Sequence, residues 1–86
     1  MIYVDEPVWP GRGRRWAHLI SDVSYVELHV FAELLGLPRR AFDGDHYDLA
    51  ADRYATAVWL GARPATSREI VAHLVRAGLR RPKHRG

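Results

Sequence analysis

The chain has 86 residues, 48% apolar and none of them Cys, which points to one small globular domain without disulfides or thiolate metal sites. A chain this short buries only about 60–65% of its unfolded surface, so three Trp, four Tyr and two Phe must supply much of a small core. With a net charge of +3, no apolar run near the roughly 20 residues of a bilayer span, and no basic-then-apolar signal at the start, a cytoplasmic protein without a membrane partner is expected.

In chain order, Ile2 to Asp5 reads as a short buried strand, β-rich and closed by a polar residue before Pro7. "EPVWPGRGRR" reads as a loop, with two Pro, two Gly and three Arg. Trp16 to Ser21 reads as a second strand or extended connector, with Trp16, His18 and Ile20 on one face and Ala17 and Leu19 on the other. "SYVELHVFAELLG" is the clearest helix. Ser24 and Glu27 have capping-box spacing, Leu28, Phe31, Ala32 and Leu35 form an apolar stripe, and Gly36 with Pro38 ends it.

"RRAF" is a candidate strand, and "HYDL" either a further strand or the lead into a helix from about Leu49 to Leu60. In that helix Ala51, Tyr54, Ala55 and Val58 face inward and Gly61 closes the end. "ARPA" is a short extended link. "TSREIVAHLVRAG" is the last helix: Thr66 and Glu69 repeat the capping box, Ile70, Leu74 and Ala77 face inward, and Gly78 terminates it. The order predicts an α/β fold, a small partly parallel sheet of three to four short strands covered by three helices. Residues 1–79 form the domain, and residues 80–86 are a basic tail expected to be flexible.

Charge is unevenly spread. Residues 1–52 hold nine acids and five bases, whereas residues 53–86 hold eight bases and the single acid Glu69. Twelve of the thirteen bases are Arg, whose planar fork suits phosphate and carboxylate. Arg12, Arg14 and Arg15 lie in a loop flanked by Trp9 and Trp16, an arrangement able to stack on a base while gripping phosphate. Arg68 sits in the first turn of the last helix, where it opposes the helix dipole unless an anion or an acid such as Asp48 or Asp52 compensates. Arg40 and Arg53 complete the candidate anion-binding set.

The stretch "FDGDHYDLAADRY" concentrates polar groups at a corner of the chain. Asp48 is expected first of all as the N-cap of the helix that follows, with His46 bonded to a loop carbonyl. In a strand His46 and Asp48 instead point the same way and can share a divalent metal, given further ligands from His18, Asp22 or Asp5. The absence of Cys and of an H-x-x-x-H pair places that second. His18 and Asp22 form a candidate general-base pair, without a recognisable nucleophile beside them. His29 and Glu33, four apart on the first helix, are expected on its solvated face, and His73 as a packing residue.

The segments "YVD", "WPGRGRRWAHLISD", "ELHVFAELLGLPRR", "HYDL" and "GARPATSREIV" together resemble a family of small bacterial and phage domains, domain of unknown function 4031, from Tyr3 to about Leu79. The resemblance implies the domain boundaries and singles out Asp5, Trp16, His18, Asp22, Glu27, His29, Arg40, His46, Asp48, Arg53 and Arg68, but no activity. Three functions are weighed. The first is binding of a phosphate-bearing ligand, nucleic acid or nucleotide, through Arg residues and helix N-termini. The second is metal-assisted phosphoester hydrolysis by His18, Asp22, His46 and Asp48. The third is a protein-interaction or homo-oligomerisation module, given three Trp in so short a chain.

Overall fold

The computed structural model describes residues 1–80 and forms a five-stranded sheet with three helices. The strands are β1 (Ile2–Val4), β2 (Trp9–Gly11), β3 (Arg14–Ser21), β4 (Tyr47–Ala50) and β5 (Arg63–Pro64). The helices are α1 (Tyr25–Leu34), α2 (Tyr54–Trp59) and α3 (Ser67–Arg76). The eight-residue β3 is the spine. Its first half pairs antiparallel with β2 and its second half with β1, while β4 pairs antiparallel along its other edge. β5 adds to β1 in parallel, so the sheet is partly parallel, as expected.

The segment read as an Arg-rich loop is instead a hairpin. Trp9 pairs with Trp16 and Gly11 with Arg14, leaving Arg12 and Gly13 as a two-residue turn. Both have positive φ, 49° and 73°, the signature of a turn whose twist matches the flanking strands. Gly13 makes this possible, and the hairpin sets the Arg12 and Arg14 guanidinium groups over the Trp16 ring.

Alternation along β3 decides what the sheet does. Ala17 and Leu19 are buried on one face with Ile2, Val4, Tyr47 and Leu49, against Leu28, Phe31, Ala32 and Leu35 of the α1 segment and Ala57 of α2. Trp16, His18 and Ile20 take the other face, where α3 covers only Ile20 and Tyr3, through Ile70 and Leu74. His73 stacks on Tyr3 with ring centroids 3.9 Å apart, the packing role expected for it.

The helix ends follow their sequence signals, with differences. Thr66 and Glu69 make a full capping box on α3. On α1 only half of one forms: Ser24 caps Glu27 N, but the Glu27 carboxylate bonds Ser21 Oγ and the chain-start amine instead. α1 also carries an outward apolar row, Val26, Val30 and Leu34, with Val23 just before its cap, all exposed. Gly36, with φ 74°, closes α1 in a Schellman turn: Leu37 N donates to Ala32 O and Gly36 N to Glu33 O. "RRAF" is not a strand; Arg39–Ala41 form one 3₁₀ turn, since Pro38 cannot donate to a ladder.

The largest departure concerns the second helix. The chain stays in strand through Ala50, passes through a 3₁₀ turn at Ala51–Arg53, and becomes α-helical only at Tyr54. Ala51 and Ala55 are exposed, while Ala57 is buried and Tyr54 and Val58 pack partly beside it. Asp48 therefore caps no helix. Ala77 likewise lies exposed past the end of α3. The tail expected at 80–86 lies outside the described residues except for Arg80.

Gly36→Ala tests the Schellman turn. An added Cβ has room, its nearest neighbour being the Arg53 guanidinium at 3.7 Å, so the cost is conformational. Urea denaturation is expected to show a loss of about 1–2 kcal/mol.

Candidate functional site

The half of the outer sheet face that α3 leaves open carries the site. His18 on β3 and Asp48 on β4 are directly opposite in the strand register, and both point outward. His46 precedes β4 by one residue and, two before Asp48, points the same way. It is presented by the turn after Phe42, whose bridge to Tyr47 closes the loop around Gly44 at φ 81°. Among the described residues, His18, His46 and Asp48 form the one set able to share an ion, with a ligand atom of each within 4.8 Å of the others.

Each imidazole is held from behind by a buried carboxylate. His18 Nδ1 lies 2.8 Å from Asp5 Oδ2, and His46 Nδ1 lies 2.8 Å from Asp45 Oδ1. A carboxylate on Nδ1 fixes that nitrogen as the N–H and leaves Nε2 with its lone pair, the arrangement that orients metal-binding histidines. His46 Nε2 lies 3.3 Å from Asp48 Oδ1. Around a tetrahedral zinc, ligand atoms sit about 3.3 Å apart, so this pair is at bonding separation and the full set needs only modest closure. Two imidazoles and one carboxylate suit zinc, iron or manganese and leave coordination positions open, as catalytic centres require.

Asp5 is fully buried and fully engaged. It accepts from His18 N at 2.6 Å and from Trp9 Nε1 at 3.2 Å, as well as from Ser67 Oγ at 2.8 Å. Burial pushes its carboxyl upward, but hydrogen bonds from the His18 ring, the His18 N–H and Ser67 outweigh that and hold it below the ordinary value. The hydrogen bond to Asp5 in turn raises His18 against burial, with the charges of Asp5, Asp48 and Asp45 adding. His29, expected on a solvated face, is half-buried and contacts the Tyr47 hydroxyl at 2.7 Å; burial and Arg39 lower its pKa.

Two cavities flank the cluster. A cleft of about 650 Å³ has Asp48 on its wall together with Arg12, Arg14, Trp16, Arg40 and Arg53. Arg12 lies over the Trp16 ring at 4.8 Å and Arg14 at 5.8 Å. A chamber of about 240 Å³ has Asp5, His18 and His46 in its wall, with Trp9 and α3 opposite.

The candidate residues thus separate. His18, His46 and Asp48 converge, with Arg12, Arg14, Trp16, Arg40 and Arg53 beside them. Asp22 does not join: it pairs with the chain-start amine at 3.1 Å, and Asp5 takes the place expected for it beside His18. Arg15, next to Arg14 on β3 and so on the alternate side of the strand, does not line the cleft; it borders a shallow surface that Arg14 also touches. Arg68 is exposed and lines neither cavity; the residue of that helix turn that reaches the site is Ser67. Arg53 is partly occupied, donating to Leu35 O at the end of α1.

Asp45 and Ser67 were not legible as site residues. Asp45 had a usable signal, an Asp immediately before a His in a Gly-containing turn; Ser67 depends on the docking of α3. Trp9, read as a flank of the Arg segment able to stack on a base, donates to Asp5 and lines the smaller cavity.

Sheet, helices and cluster together define a small α/β protein with two histidines and one carboxylate gathered on an open sheet face. The chain belongs to the family described as Protein of unknown function (DUF4031), matched over residues 2–77. No curated protein and no solved structure matches the chain. No helix of the described residues is long and apolar enough to cross a membrane.

The Asp5–His18 pair gives the metal-free protein a pH window. His18 contributes stability that is fully present below the ordinary His value and lost as pH rises through its raised one. Asp5 contributes stability present above the ordinary Asp value and lost as pH falls through its lowered one. In Asp5→Asn, the His18 ring, followed by NMR, is expected to titrate back toward 6.5, and the alkaline loss of stability to flatten. An unchanged His18 titration would refute the pairing.

Proposed function

We propose that this protein is a metal-dependent phosphoester hydrolase. The observation that carries the reading is the convergence of His18, His46 and Asp48 with both Nδ1 atoms committed to buried carboxylates. A solvated surface cluster has no need of two such supports, whereas a metal centre does. The neighbouring Arg12, Arg14 and Arg40 supply the substrate class, since guanidinium groups at the edge of the centre match the charge and shape of a phosphoryl group.

In this reading His18, His46 and Asp48 hold the ion, and Asp5 and Asp45 keep the rings aimed. A bound divalent ion lowers the pKa of a coordinated water to about 7 and polarises a phosphoryl oxygen. Arg40 and the Arg12–Arg14 pair bind the non-bridging oxygens and offset the charge that builds on them. Arg12 and Arg14 are held over Trp16, so part of their side-chain entropy is already lost before substrate arrives. Simple binding of phosphate ligands without chemistry uses the same cleft but gives no role to the Asp-backed histidines.

Calorimetric titration of the metal-stripped protein with zinc or manganese is expected to show one site. His18→Ala, His46→Ala and Asp48→Asn should each abolish most of the binding, and Asp5→Asn should weaken it by about 10–100-fold. Hydrolysis of bis-p-nitrophenyl phosphate should require the ion, and Arg40→Ala should raise KM more than it lowers kcat. Absence of metal binding in the folded wild type would overturn the proposal.

A further inference from the structure

The smaller chamber has no role in the chemistry above, yet His18 and His46 form part of its wall. Asp48 lines the Arg cleft and the two histidines line the chamber, so the cluster stands between a larger, charged cleft and a smaller, more apolar one. The pocket is walled by Trp9 on one side and by Ile70, Val71 and Leu74 of α3 on the other. Its 240 Å³ is below the about 300–1,000 Å³ typical of sites that enclose a whole small ligand. It is sized for one ring system, with the remainder of the ligand outside.

The chemistry of the walls selects the ring. A sugar needs several convergent hydrogen-bond groups, which Ile70, Val71 and Leu74 do not offer. A flat aromatic face suits Trp9, which is 41% exposed and tilted at 50° to the His18 ring. Ser67 and Arg80, also in the lining, set polar groups at its edge, where the Ser67 hydroxyl, donating to Asp5, keeps its lone pairs and Arg80 lies 3.6 Å from Asp45. On the far side of the cluster the cleft sets Arg12, Arg14, Arg40 and Arg53 against Asp43, Asp48 and Asp52, with Arg14 3.9 Å from Asp52, which leaves a net positive charge for phosphate.

We propose that the substrate is a nucleoside phosphate, with its base in the chamber between Trp9 and Val71, its phosphate at His18, His46 and Asp48, and any further phosphates along the Arg cleft. This rests on the hydrolase reading and names its substrate. The strand form is the end of a single-stranded nucleic acid, the terminal nucleoside in the chamber and the next phosphates in the cleft. Hydrolysis then forms a bond from water oxygen to phosphorus and breaks the phosphorus–oxygen bond to the departing alcohol. One proton of the water ends on that alcohol and the phosphate keeps the new oxygen.

The test is an NMR titration of the zinc-loaded protein with inorganic phosphate, adenosine 5′-monophosphate and a single-stranded hexa-deoxyadenylate. The nucleotide is expected to shift the Trp9 indole N–H and the Val71 methyls, which inorganic phosphate leaves unmoved. Val71→Trp, at an α3 position 40% exposed and therefore tolerant of a large side chain, should fill the chamber. It should weaken the nucleotide by about tenfold or more while phosphate affinity is retained. Tighter binding of the hexamer with added Arg12, Arg14 and Arg40 shifts identifies the strand; equal binding identifies the free nucleotide; both support the proposal. If phosphate binds and the nucleotide leaves Trp9 and Val71 unmoved, the nucleotide assignment fails and the hydrolase reading stands. If zinc binds but no phosphate compound perturbs the protein, both fail.

Discussion

The carboxylate of Asp5 ties the molecule together. It sits at the end of β1, wholly removed from solvent, and takes hydrogen bonds from the β3 backbone, the His18 ring, the Trp9 indole and Ser67 at the start of α3. An isolated buried charge is costly, and this one is tolerated because four donors surround it. Those donors come from β2, β3 and α3. The same contacts that make the charge tolerable fix the hairpin, dock the last helix and set the tautomer of a histidine on the open face. Structure and site share one group.

The division of the outer sheet face follows from that arrangement. α3 packs over Tyr3 and Ile20 and stops at the Asp5 end, where Ser67 begins it. What remains uncovered is the patch where β2, β3 and β4 run side by side, carrying Trp9, Trp16, His18 and Asp48. On the opposite face, α1 and α2 bury Leu19, Tyr47 and Leu49 completely or nearly so. The site therefore rests on a sheet anchored from behind, which gives its side chains less freedom than a loop would.

Local chemistry made much of this visible in the sequence. Thr66 with Glu69 and the glycines at 36, 61 and 78 marked real helix ends, because capping depends on neighbours in the chain. The alternation from Trp16 to Ile20 assigned both faces of β3 correctly. What failed was long-range. Asp48 has the residue type of a helix cap, and only its pairing with His18 across the sheet reveals a strand. Trp9 to Gly11 looked like loop because its Pro and Gly residues hide a hairpin arm on the sheet's edge. Asp22 was the carboxylate nearest His18 in sequence, yet Asp5, thirteen residues away, is its partner in space. The family resemblance gave extent and no chemistry; residue type and spacing offered His18, His46 and Asp48 among the candidates, and tertiary geometry is what separates them from Asp22.

Strict alternation on β3 has a consequence for assembly of the chain. Ala17 and Leu19 vanish into the interior only when Trp16 and His18 project outward, and a slip of one position would exchange the two sets. A misaligned β3–β4 pairing thus presents aliphatic groups where an ion would sit and buries an imidazole in hydrocarbon. Under the proposed hydrolase reading, an ion would be held only by molecules whose hydrophobic interior has closed in the native pairing.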